Sequence, residues 1–166
     1  MKDLVNLLVV DDDCEFRDLL EEVLIRNQFS LITAKSIDAT YEIIEKYEVD
    51  AILCDLNLQG RSGFDLLWDL RLKGSDVPFV LMSGQIEYED LLDACRLGVF
   101  DMFEKPFDIK TLVESCMNAI NLGIHSRLTL NKLQKILSEN DYKSISSALS
   151  KGAKLRAKSF ESRKLS

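Results

Sequence analysis

Five short apolar runs punctuate the chain: Leu4–Val10, Phe29–Ala34, Ala51–Cys54, Val77–Met82 and Val99–Phe103. They are rich in β-branched and aromatic residues and nearly uninterrupted, the pattern of strands buried on both faces. Between them apolar positions recur three and four residues apart, as in Phe16, Leu19, Leu20, Val23 and Leu24, or Ile37, Tyr41, Ile44 and Tyr47. The same helical spacing returns in Phe64, Leu67, Trp68 and Leu70, in Leu91, Leu92 and Cys95, and in Leu112, Val113, Cys116 and Ile120. Ser36 and Asp108 stand where helix N-caps are expected, Gly74 and Gly98 where helices should end. Strict alternation of strand and helix predicts an α/β fold, a parallel sheet with right-handed crossovers and helices on both faces. In such open sheets ligands bind beyond the carboxyl ends of the strands. The residues that end each run are therefore the candidates.

The first run ends at Asp11, Asp12 and Asp13, the third at Asp55 and the fourth at Ser83; the fifth leads through Glu104 to Lys105 and Pro106. Acids, one hydroxyl and one lysine thus converge on one rim. Carboxylates packed side by side from neighbouring strands repel and raise each other's pKa. A hard dication relieves this, and an all-oxygen site suits magnesium better than zinc. Carboxylates also serve as nucleophiles toward phosphate. Lys105 can hold a phosphoryl oxygen as a point charge, and Ser83 can donate to another. Taken singly, each residue has a plain structural reading: a helix cap, a turn, a strand end, a solvated lysine. Together on one rim they favour a site.

Composition narrows the setting. With 46% hydrophobic and 30% charged residues, 7 Gly and 2 Pro, the chain is neither disordered nor collagen-like. No run is long enough to span a membrane and no cleavage site follows one, so a cytoplasmic protein is expected. Cys14, Cys54, Cys95 and Cys116 form no C-x-x-C pair and read as reduced thiols. The net charge of −7 is unevenly spread: residues 1–123 hold 11 basic against 25 acidic side chains, residues 124–166 hold 10 against 3. This marks an acidic domain over 1–123 and a basic extension over 124–166. Leu128, Leu130, Leu133, Ile136 and Leu137, then Tyr142, Ile145 and Leu149, predict two short helices broken at Asn140-Asp141. Beyond Lys151-Gly152 the chain is rich in Lys, Arg and Ser, and its last dozen residues are expected to be disordered.

The strand-end segments resemble those of response regulator receiver domains in two-component signalling, over about residues 3–123. Leu-Leu-Val-Val-Asp11-Asp12 resembles the acidic-pair segment, with Asp13 an additional acid. Ile-Leu-Cys-Asp55-Leu-Asn57 resembles the phosphoacceptor segment, with Gly63 after the following loop. Val-Leu-Met-Ser83-Gly84 is similar to the hydroxyl switch segment, and Phe-Glu-Lys105-Pro106-Phe107 to the Lys-Pro segment. The resemblance implies a doubly wound five-stranded sheet of flavodoxin-like order 2-1-3-4-5. It implies Asp55 as phosphoacceptor and Mg2+ as cofactor, held by the side chains of Asp12 and Asp55, the carbonyl of Asn57, and Asp11 mostly through water. Lys105-Pro106 would be a cis peptide. A histidine kinase or phosphotransfer protein would supply the phosphoryl group. A downstream protein would meet the face of the fourth helix, fifth strand and fifth helix, together with the extension.

Three positions depart from the family pattern. Leu58-Gln59 replaces the usual Met-Pro, leaving that loop without its proline, and Gly84 stands where alanine is common. Met102 occupies the place of a switch aromatic, while Phe103 falls on the opposite strand face. The reading is therefore a non-enzymatic switch module. Two alternatives stand beside it: an aspartate-nucleophile, magnesium-dependent phosphatase, and a phosphorylation-independent interaction module. The phosphatase pattern places a second acid two residues on, where Asn57 stands here. His125, the single histidine, reads as a surface residue, Cys54 as core, and Trp68 as packing its helix on the sheet. The extension is expected to dock on a partner or, in a homodimer, on a second copy, while its basic end meets an acidic surface, the receiver's own being one candidate. DNA binding is not expected of so acidic a body.

Overall fold

The computed structural model describes the backbone of residues 3–164 and the side chains of residues 6–158, 160 and 161. The side chains of Leu4 and Val5 in the first apolar run, and Leu165 and Ser166 at the basic end, lie outside the described residues. In chain order the elements are β1 (Asp3–Val10), α1 (Cys14–Arg26), β2 (Leu31–Ala34), α2 (Ile37–Lys46), β3 (Tyr47–Asp55), β4 (Asn57–Leu58), β5 (Arg61–Ser62), α3 (Gly63–Leu72), β6 (Phe79–Ser83), α4 (Tyr88–Leu97), β7 (Asp101–Glu104), α5 (Ile109–Ile136) and α6 (Glu139–Lys164). The main sheet is parallel with order β2-β1-β3-β6-β7. With the two-residue hairpin β4–β5 set aside, this is the order 2-1-3-4-5 that the resemblance implies.

The register brings the strand ends level. Val10 lies opposite both Ala34 and Cys54, Asp55 opposite Met82, and Ser83 opposite Glu104. Alternation then divides the side chains between two layers. Leu8, Ile52 and Leu81 meet Ile37 of α2, Phe64 and Leu67 of α3, and Leu97 of α4. Leu7, Leu53 and Val80 meet Leu20 of α1 with Leu112 and Cys116 of α5. Ser36 caps α2 through Ala39 N and Asp108 caps α5 through Lys110 N, while Gly98 closes α4 at φ 68° and Gly74 follows α3 at φ 85°. Tyr47, counted with the helical pattern of α2, instead opens β3.

The C-terminal region departs most from the sequence expectation. The first predicted short helix is the tail of a single 28-residue α5, which passes residue 123 without a break. The chain turns at Leu137-Ser138, not at Asn140-Asp141: the Ser138 hydroxyl accepts from Asp141 N (3.3 Å) and donates to Asp141 Oδ2 (2.5 Å). The second helix is a 26-residue α6 that runs to Lys164, well into the stretch expected to be disordered. Ala153, Ala157 and Phe160 are spaced on one face and buried against α3 and α4. Burial of that phenylalanine contributes about 2 kcal/mol, and the Trp68–Ala157 hydrogen bond and the Arg156–Asp76 pair add to it against the cost of ordering the helix.

Candidate functional site

Asp11 follows the last residue of β1 and is fully buried; Asp55 ends β3 and is nearly so; Asp12 is half-buried beside them. Carboxylate oxygens of these three lie within 4.8 Å of one another. Asp11 is held on several sides. Its Oδ1 accepts from Asp13 N (2.9 Å), its Oδ2 from Lys105 Nζ (3.3 Å), and its carbonyl from Arg17 Nη1 (2.7 Å). Asp55 Oδ1 sits 3.5 Å from the same lysine Nζ, close enough for charge attraction, yet it has no hydrogen-bond partner. Burial raises the Asp55 pKa above the usual carboxylate value; Lys105 opposes the shift and Asp11 adds to it. A buried, unbonded carboxylate oxygen in an acidic cluster is costly by itself. The donor set fits a hard cation, all oxygen and strongly anionic.

Asp13 takes the structural role. Its exposed carboxylate caps α1, accepting from Glu15 N (3.0 Å) and Phe16 N (3.1 Å). Lys105 reaches the acids from the end of β7, with its own N–H bonded to Ser83 O and its Nζ 4.0 Å above the Phe16 ring. Phe16 packs on Phe107 and Phe107 on Phe103, an aromatic seat beneath the lysine. The Lys105-Pro106 peptide is cis. Sequence reasoning missed Phe16 and Arg17 as supports of the site, since nothing marks a first-turn helix residue as facing another strand's lysine.

Ser83 is fully buried. Its hydroxyl donates to Gln85 O (2.5 Å) and accepts from Gln85 N (3.2 Å), with Asn57 Nδ2 at 3.5 Å. Gly84 is exposed, and a Cβ there would meet nothing within 4 Å. Met102 stands opposite Leu81, half-buried in the layer of α3 and α4, whereas Phe103 belongs to the α1–α5 layer. Cys54 is core, its thiol 3.1 Å from Asp55 O. His125 is exposed within α5, beside an apolar cavity of about 430 Å³ between α5 and α6. Trp68 packs on the sheet-side core, and its Nε1 also donates to Ala157 O of α6 (3.1 Å).

The loop after Asp55 is ordered without a proline. Asn57 pairs with Ser62 and Leu58 with Arg61 across a turn in which Gly60 takes φ 74°. Leu58 is buried, and the Arg61 guanidinium spans Asp38 of α2 (3.4 Å) and Asp69 of α3 (3.5 Å). Asp69 also accepts from Tyr41, whose pKa is pushed up to about 12 by burial and by this acid. Gly63 then opens α3 so close to the site that a Cβ would stand 2.6 Å from Asp55 O. Only glycine fits there.

Comparison with known proteins agrees with this geometry. A family model described as the response regulator receiver domain matches residues 7–117. The chain is 28% identical over 134 residues to a probable transcriptional regulator, ycf29, of Cyanophora paradoxa, covering 80% of this chain and 64% of that one. It is 32% identical over 108 residues to the regulatory protein VirG of Agrobacterium tumefaciens, covering 64% of this chain and 40% of VirG. The chain therefore spans less than two thirds of these relatives. Among solved structures, the non-phosphorylated HemR receiver domain of Leptospira biflexa is similar with TM-score 0.64 and 27% identity, over 72% of this chain and 94% of that one. TrrA of Thermotoga maritima, solved in complex with Mg(2+)-BeF, shares the fold with TM-score 0.62 at 24% identity, over 72% and 99%. Among the described residues no helix is long and apolar enough to cross a membrane.

Proposed function

Because this chain belongs to the response regulator receiver family, we propose that it accepts a phosphoryl group on Asp55 from a histidine kinase or phosphotransfer protein and thereby switches protein–protein contacts. The observation that carries this reading is the bare Asp55 Oδ1, buried beside Asp11, Asp12 and Lys105. An Asp55 oxygen bonds to phosphorus as the phosphorus–nitrogen bond to the donor histidine breaks. The imidazole leaves with the electron pair and takes up a proton. Lys105 Nζ, already shared between Asp11 and Asp55, holds one phosphoryl oxygen. Ser83 turns its hydroxyl from Gln85 O toward another. Asp12 and Asp55 would hold magnesium by their side chains, Asn57 by its carbonyl and Asp11 through water. A dication held there would offset the charge of the carboxylates and of the incoming group.

On this reading the protein is a switch in the cytoplasm and not a phosphatase; the acid that a phosphatase needs two residues after the nucleophile is Asn57. Residues 1–123 make up the receiver and residues 124–166 its basic extension. The output is a protein partner, or a second copy, meeting the α4–β7–α5 face and the extension. The test is intact mass after incubation with a small phosphodonor and magnesium, in wild type and in Asp55→Asn. A single phosphoryl addition is expected in wild type only, and none in chelator. Equal labelling of Asp55→Asn overturns the assignment.

A further inference from the structure

Helices α3 and α4 each begin where a loop of the site ends, and α6 lies across both. On α3, the Phe160 ring packs on Phe64, with centroids 6.3 Å apart, and Trp68 Nε1 donates to Ala157 O. Phe64 directly follows Gly63, the residue pressed against Asp55 O. On the α4 side, the Arg156 side chain lies 3.1 Å from where a Cβ of Gly98 would be, at the end of α4. Its guanidinium pairs with Asp76 in the loop between α3 and β6. Buried Arg71 of α3 ties the two helices together, donating to Leu97 O (3.1 Å) and Gly98 O (3.4 Å). The seat of α6 is thus a joint surface whose shape depends on how α3 and α4 stand to each other.

That relation is tied to the site by one proton. A serine hydroxyl has a single hydrogen to donate, and that of Ser83 goes to Gln85 O in the loop leading to α4. A phosphoryl oxygen at Asp55 would compete for it and leave Gln85 O without its donor, loosening this loop, while Gly63 keeps the start of α3 against Asp55. The start of α4 would then shift against α3, while Arg71 still ties their far ends.

We propose that α6 is a latch, docked across α3 and α4 while Asp55 is unmodified and loosened when a phosphoryl group at Asp55 draws Ser83 from Gln85. The proposal rests on the reading of Asp55 as phosphoacceptor. Linkage makes the coupling reciprocal: a docked α6 lowers the affinity of the site for a phosphoryl mimic, by the same factor as the mimic lowers docking. Loosening exposes Phe64 and Trp68 on α3 together with the Ala153, Ala157 and Phe160 stripe of α6, a surface made and hidden within one chain.

The test uses the full chain with beryllofluoride and magnesium as the probe, amide hydrogen exchange as one readout and beryllofluoride affinity as the other. Addition of the probe is expected to speed exchange over residues 150–161 by about five-fold or more, a typical coupling, and to leave Asp55→Asn unchanged. Phe160→Ala and, with the apolar seat intact, Arg156→Ala are each expected to bind the probe several-fold more tightly than wild type. If wild type binds the probe but exchange in α6 is unchanged or slowed, or both variants keep wild-type affinity, the latch is refuted while the site stands. If no variant and no wild type binds it, the reading of Asp55 falls, and the latch with it.

Discussion

Strand β3 carries a buried aspartate in each half, and the two are equipped in opposite ways. Asp50 is held on both oxygens: Oδ2 accepts from Asn6 Nδ2 (3.0 Å) and Oδ1 from Arg127 Nε (3.1 Å). Asp55 shares a lysine with Asp11 and leaves Oδ1 without a hydrogen bond. The backbone around Asp50 is closed as well, since a Cβ on Gly123 of α5 would lie 1.9 Å from Asp50 O. Burial by itself therefore does not leave a carboxylate without donors. What separates Asp50 from Asp55 is whether the carboxylate oxygens already have donors.

Replacing Arg127 by Ala leaves the Asp50 charge buried with a single donor. Removing one partner of such a pair costs about 3 kcal/mol, a fall in Tm of roughly 6–12 °C for a chain of this size. Labelling of Asp55 should be unaffected once the protein is held below that transition. A loss of labelling at low temperature would mean that the two ends of β3 are not independent.

Gly123→Ala tests the same end through packing. Forcing α5 away from Asp50 O is expected to cost about 1–3 kcal/mol in denaturant unfolding. The third case concerns the other end. With its folded pKa raised by burial, Asp55 takes up a proton in the folded state at a higher pH than in the unfolded chain. Its charge therefore lowers stability at neutral pH, and the cost disappears as pH falls through the folded pKa toward the unfolded one. In chelator, Asp55→Asn should melt above wild type at neutral pH, with the gap closing on acidification. Magnesium should narrow the neutral-pH gap by stabilising the wild type. Asp50→Asn, which loses a satisfied acceptor, should instead melt below wild type.

The smallest expected effect is at Met102. A flexible thioether defines two packing states less sharply than a ring. Met102→Tyr should therefore sharpen the beryllofluoride-induced amide shifts of α4, leaving labelling of Asp55 in place. Identical shifts in the two proteins would reduce Met102 to filler.

How much of this was legible varies by region for physical reasons. The five sheet strands and the Asp11, Asp12, Asp55, Ser83 and Lys105 rim follow from apolar runs that end abruptly, because a parallel sheet brings every strand end to the same edge. Asp13 reads as a third acid, and only geometry separates a cap from a ligand. Past residue 123 the pattern misleads. Gly123 coincides with the expected domain boundary, yet it serves close contact with Asp50 inside a continuing helix. The stripe that seats α6 is written as Ala153, Ala157 and one phenylalanine among lysines, arginines and serines. Alanine contributes little to any count of apolar residues, although it lets helices approach closely.

The hairpin after Asp55 carries a consequence of a different kind. A proline ring stiffens a loop by covalent constraint, which dissolved ions cannot reach. Here part of that stiffness comes from Arg61, exposed to solvent, bridging Asp38 and Asp69. Such attractions are screened over about 10 Å at 0.1 M salt. The segment flanking Asp55 is thus firmer in dilute solution than in concentrated salt, and ionic strength becomes a variable that this site, unlike one braced by a ring, can feel.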